Sequence, residues 1–183
     1  MTDAVRWHES LGASGELLAF AATFGDRAAF WAECPRGDWL LWLALRAHEG
    51  SGADARSGIL RAARAIAALG LEYLPDDDTG ARGVLDALAE GRELPTEGEI
   101  DALEREADAA ADAAVSLARS AIALAARAHL AADTAGLAGL ERIPGLVCEA
   151  ARNDVGDCAQ LAAVGYVLRK SAELVRSHVP APA

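Results

Sequence analysis

The sequence predicts an all-α fold: a single-domain multi-helix bundle of six to eight helices, with a central buried Trp-rich helix and one long Ala-rich helix. Three observations carry this. Of the 183 residues, 52% are hydrophobic, mostly alanine and leucine, and β-branched residues are too sparse to build several strands. Apolar residues recur at helical spacing along most of the chain. Helix start signals also stand at intervals, the most legible being Thr96 and Glu99, a reciprocal capping box. A chain of this length buries roughly 70% of its unfolded surface, so 1–183 is read as one domain that holds a core without staples.

Residues 1–12 are polar, with Trp7 as the one large anchor, and suit a short helix or a loosely docked arm. Ser14 precedes Leu17, Leu18, Phe20, Ala21 and Phe24, a helix of about three turns ending near Gly25. Asp26 caps the next, which carries Phe30 and Trp31 and stops before Pro35 because the residue preceding a proline avoids the α region. Asp38 is expected to cap a helix starting at Trp39. Its apolar residues, through Leu45, point in every direction, so that helix belongs inside the bundle. Arg46 falls between Trp39 and Trp42 on the wheel, where it either stacks on an indole or snorkels to water. The Arg36-Gly37-Asp38 tripeptide matches a cell-adhesion signal, but it leads into a buried helix and carries no weight.

A loop is expected over 48–52, then a helix through Ile59, Leu60, Ala63, Ile66 and Leu69, then the solvated turn Pro75-Asp76-Asp77-Asp78. Another helix covers 79–90 and ends at Gly91. From 97 no Gly or Pro intervenes until Gly136, apart from Gly98 in the first turn, which predicts a helix to about residue 132, close to 50 Å long. Its seam runs Ile100, Leu103, Ala107, Ala110, Ala114, Leu117, Ala121, Leu124, Ala128, and a second apolar line makes the C-terminal half the more deeply packed. On its N-terminal half Glu97, Asp101, Glu104, Asp108 and Asp112 share one face, with Arg105 as the nearby cation. That stripe is either a solvated face or a docking surface for a basic partner. One or two short helices broken at Pro144-Gly145, a joint over 153–157, a last helix over 157–178 and a frayed tail at 180–183 complete the chain.

Net charge is −11, from 28 acidic and 17 basic residues, which opposes binding to nucleic acid or anionic membranes and suits a cationic partner. Cys34, Cys148 and Cys158 match no metal spacing and read as buried, reduced thiols. Asp3, Glu9 and Glu16 interrupt any leader-like run, and no segment approaches ~20 apolar residues, so a cytoplasmic location is expected. His8, His48, His129 and His178 lack metal-motif partners, and the glycines lack a phosphate-loop context. No catalytic residue, metal or cofactor is expected, and the chain reads as a non-enzyme.

The run Trp31-Ala32-Glu33-Cys34-Pro35-Arg36-Gly37-Asp38-Trp39-Leu40-Leu41-Trp42 resembles the W-x-x-C-x-R-x-D-W-x-L-W signature of an immunity-five-like family of bacterial immunity proteins, those that protect against polymorphic toxins. The order of later features is similar: an Arg/Ala-rich helix, the Gly-Arg-Glu-Leu-Pro-Thr step at 91–96, a long alanine-rich helix and the ending over 172–180. The resemblance implies a non-catalytic binder of a cognate toxin, here one with a basic surface, acting as a monomer or homodimer. Trp31, Cys34, Arg36, Asp38, Trp39 and Trp42 look like core and cap positions, which leaves the acidic stripe as the expected contact. The alternatives are a self-associating helical scaffold or adaptor and a small-ligand-binding helical protein.

Overall fold

Short polar side chains start most of the helices. The computed structural model describes residues 1–48, 53–91, 94–131, 137 and 139–182. Among these are ten α-helices: α1 (Asp3–Ser10), α2 (Gly15–Ala21), α3 (Arg27–Glu33), α4 (Gly37–Ala47), α5 (Ala53–Ala68), α6 (Thr79–Glu90), α7 (Glu97–Ala109), α8 (Ala113–Leu130), α9 (Ile143–Asp154) and α10 (Gln160–His178). Two 3-10 segments lie at Leu69–Tyr73 and Leu140–Arg142, and no strand occurs among the described residues. Thr2, Ser14, Asp26, Asp78, Thr96 and Asp112 each accept a first-turn N–H. Each such cap contributes about 1 kcal/mol.

Four helix C-termini also receive an arginine from another helix. The Arg176 guanidinium on α10 donates to the carbonyls of Trp31 (3.3 Å) and Cys34 (2.9 Å) at the end of α3. Arg64 on α5 donates to Leu88 on α6 (2.9 Å), Arg56 to Ala131 just past α8, and Arg119 on α8 to Glu106 on α7 (3.1 Å). A planar guanidinium reaches two acceptors at once and suits free terminal carbonyls.

The buried residues form one contiguous cluster from Leu17 to Val179. Its N-terminal end is aromatic: Phe30 meets His8, Phe20 and Phe24, with ring centroids 4.3, 5.9 and 5.3 Å away. The other end is aliphatic and alanine-rich. α8 buries Ala114, Ala118, Ala121, Ile122, Ala125 and Ala128 and touches α5, α6, α7 and α9, so small side chains let four helices approach one axis.

The Trp39 helix is buried as expected at Leu40, Leu41, Leu43 and Ala44, each 0% exposed, while Trp39 and Trp42 are half-buried. Arg46 is exposed and lies 5.9 Å from the Trp42 ring. Residues 3–10 take the helical alternative, with Ala4 and His8 fully buried. After Val179, which is buried, Pro180 and Ala181 are exposed.

Several expectations are corrected. The helix starting at 97 does not run on to 132: it ends at Ala109, Ala110 turns extended, and Asp112 accepts the N–H groups of Ala114 (2.8 Å) and Val115 (3.3 Å) to start α8. A free Asp side chain offers the backbone an alternative to continuing the helix. The fold back then lets α8 pack antiparallel on α7. Asp38 is not a cap, since α4 begins at Gly37 and the Asp38 carboxylate is held by Arg36 instead. Pro144 sits in the first turn of α9, where its missing N–H costs nothing, so it opens that helix and breaks none. Cys158 is exposed, in contrast to Cys34 and Cys148, and Leu161 on α10 is 89% exposed. Residues 49–52 of the loop expected over 48–52, residues 92–93 and the region 132–136 lie outside the described residues.

Candidate docking site

Two parts of the molecule hold the residues singled out by sequence, and they are built differently. The first is the corner between α3 and α4. The Arg36 guanidinium donates to both Asp38 oxygens, Nε to Oδ1 at 2.9 Å and Nη2 to Oδ2 at 2.6 Å, and stacks 4.1 Å from the centre of the Trp39 ring. A longer contact, 3.4 Å, reaches Glu16 on α2. Cys34 points its thiol at the Arg36 carbonyl, 3.8 Å away, and burial pushes that thiol up to about 11. Arg176 fastens the Trp31 and Cys34 carbonyls to α10.

Gly37 completes the corner. A Cβ there would stand 2.2 Å from Ser171 Cβ and 2.6 Å from the Ala172 nitrogen, so only hydrogen lets α4 lie against α10. Every matched position of the tryptophan motif is tied to a neighbour by a bond, a stack or burial, Trp42 by packing against the core beneath the Arg46 guanidinium. The motif's chemistry is spent on holding the corner.

The second part is α7. Its thirteen residues include six acids, Glu97, Glu99, Asp101, Glu104, Glu106 and Asp108, against one basic residue, Arg105. The expected stripe does not survive intact. Arg127 from α8 pairs with Asp101 and grips Glu104 through Nε (3.1 Å) and Nη2 (2.9 Å), and those two carboxylates reinforce its charge. Asp112 lies past the end of α7 and is committed to capping α8. Glu97 and Asp108 remain as exposed stripe members. Arg105 donates to the Asp101 carbonyl at 3.2 Å, so the relief comes across the helix pair from Arg127.

Sequence reasoning missed the other flank of α7. Between α6 and α7 runs a groove of about 420 Å³. Val84 and Leu103 form its floor, Pro95 and the 48% exposed Leu94 stand at one end, and Glu99 and Glu106 supply the carboxylates. No Lys, Arg or His lines it among the described residues. Glu99 Oε2 accepts from the Thr96 backbone N–H (2.7 Å) and hydroxyl (2.8 Å), which holds its carboxyl below the usual range and keeps it charged. On α6 the groove meets Gly80 and Gly83. A Cβ on Gly83 would find nothing within 4 Å, and one on Gly80 would meet only carboxylate oxygens, Glu106 Oε2 at 3.6 Å and Asp78 Oδ1 at 3.8 Å. A glycine inside a helix costs about 1 kcal/mol relative to alanine. Here that cost is borne where a side chain would fit. The signal available in sequence was the pair Gly80 and Gly83 in a helix, facing Glu99, Ala102 and Glu106 spaced three and four apart.

Cys148 is pushed up to about 12 by burial, so both buried thiols stay protonated at neutral pH. Among the described residues no group of three His, Cys, Asp or Glu is placed to hold a metal ion, and no helix is long and apolar enough to cross a membrane. No family model, curated protein or solved structure matches the chain.

Proposed function

We propose that this chain is an immunity-type binder: it neutralises a cognate protein toxin without catalysis, by laying its acidic α7 face over a basic surface and covering the toxin's active site or substrate path. The observation that supports this is the concentration of six acids on α7: among the described residues Asp101 and Glu104 pair with Arg127 and Glu99 closes the capping box, while Glu97, Glu106 and Asp108 have no ion-pair partner. Unpaired carboxylates on a packed helix attract a cationic partner from a distance and raise its association rate. The resemblance of the Trp31–Trp42 stretch to the immunity family points the same way, although those residues serve the corner and lie apart from α7.

The scaffold alternative needed alanine-rich helix faces for self-association. Ala118, Ala121, Ala125 and Ala128 are already covered inside the bundle, which disfavours it. The test is calorimetric titration of the product of the adjacent reading frame into the purified chain. A one-to-one complex is expected whose affinity falls with added salt and falls further in the Glu97→Lys/Asp108→Lys double variant, with the thermal midpoint little changed. Absence of a complex, or equal affinity in the double variant, would overturn the proposal.

A further inference from the structure

We infer that the α6–α7 groove is the pocket that takes the partner's anchor: a leucine-sized aliphatic side chain presented between two basic residues on a segment of a protein. The inference rests on the proposed function only for the identity of the protein that carries the segment. Two features of the groove argue for this occupant. Its floor, the buried Val84 and Leu103, is apolar, and the groove of about 420 Å³ above it has room for one aliphatic side chain. Protein interfaces concentrate their affinity in such desolvated pockets.

Among the described residues that line the groove, the charged groups are all carboxylates. Glu99 and Glu106 stand seven residues apart on α7, about 10 Å along the axis, so one basic residue on either side of the anchor reaches both. A carboxylate pair over an apolar floor disfavours a purely apolar or an acidic segment. Gly83 supports the same assignment, because the side-chain space above it is vacant although helix propensity favours filling it.

The test uses the full chain and the capped peptide Gly-Arg-Ser-Leu-Ser-Arg-Gly, followed by amide chemical shifts. Saturable shifts are expected at Gly80, Gly83, Leu103 and Glu106. Replacing the peptide's leucine by serine, or its arginines by glutamate, is expected to weaken binding by about tenfold or more. In the protein, Gly83→Leu fills the groove from within and is expected to do the same. Should that variant fail to fold, Glu106→Lys carries the decision, since it reverses one rim charge on an exposed side chain. No saturable shift up to millimolar peptide, shifts confined to other surfaces, or a leucine-free arginine peptide that binds equally well would overturn the inference. The adjacent-frame product separates the two proposals. If it binds wild type and Gly83→Leu alike, the groove is overturned and the immunity function stands. If it binds neither while the peptide occupies the groove, the groove stands and the immunity function falls.

Discussion

Gly37 and Gly83 are the same residue in two helices, kept for opposite physical reasons. At Gly37 a methyl group would drive into the Ser171 and Ala172 backbone, so the absence of a side chain brings two helices together. At Gly83 a methyl group would touch nothing, so the absence leaves a surface open. The α3–α4 corner carries the most distinctive residues of the sequence and uses them internally. The α6–α7 flank carries ordinary residues and leaves its carboxylates outward. Distinctiveness of sequence and availability for binding are thus separated in this molecule.

The largest expected effect breaks the corner. Gly37→Ala should destabilise the fold by about 3 kcal/mol through overpacking, read as a drop in the denaturant midpoint. An unchanged midpoint would mean that α4 and α10 are not in such close contact. Arg36→Ala should cost about 2 kcal/mol by leaving the half-buried Asp38 carboxylate without its fork and Trp39 without its stacked cation. Arg36→Lys should recover little, since an ammonium cannot reproduce the two parallel bonds. Gly83→Ala runs the other way and should stabilise by about 1 kcal/mol. A loss there would show that the space above Gly83 is not empty.

A pH effect sharpens the contrast within the aromatic end. His8 is buried against Phe30, its Nδ1 paired with the Ala4 carbonyl at 2.6 Å and its Nε2 without a partner, and burial holds its pKa below the ordinary value. The folded state therefore resists a proton that the unfolded chain accepts. Stability is full above the unfolded pKa of about 6.5 and declines as pH falls from there through the folded value. His129 and His178 shift in the same direction, so His8→Phe should remove only part of the decline in urea midpoint between about pH 7 and pH 5. The smallest stability effect belongs to Glu97→Lys/Asp108→Lys, within about 0.5 kcal/mol, because both side chains are exposed.

What the sequence made legible was local. Ser14, Asp26 and the Thr96–Glu99 box act within one turn, and all three caps stand where the pattern put them. The all-α class followed from alanine, leucine and helical spacing. What stayed hidden depends on partners far along the chain. Asp112 reads in sequence as one more acid of the stripe, and its use as the cap that starts α8 shows only once α8 folds back and Arg127 reaches Asp101 and Glu104, more than twenty residues away. Asp38 has the right type for a cap, yet Arg36 offers it two charge-assisted bonds, which outweigh neutral backbone donors. The acidic stripe was visible as a face of α7, but which flank stays open could be seen only once α6, with its glycines, was laid beside it.

Amide hydrogen exchange of the chain alone and in complex with the adjacent-frame product tests the separation of the two regions most directly. Complex formation is predicted to slow exchange over residues 80–87 and 97–106 and to leave 36–42 unchanged. Protection that appears at 36–42 and not along α6 and α7 would contradict it.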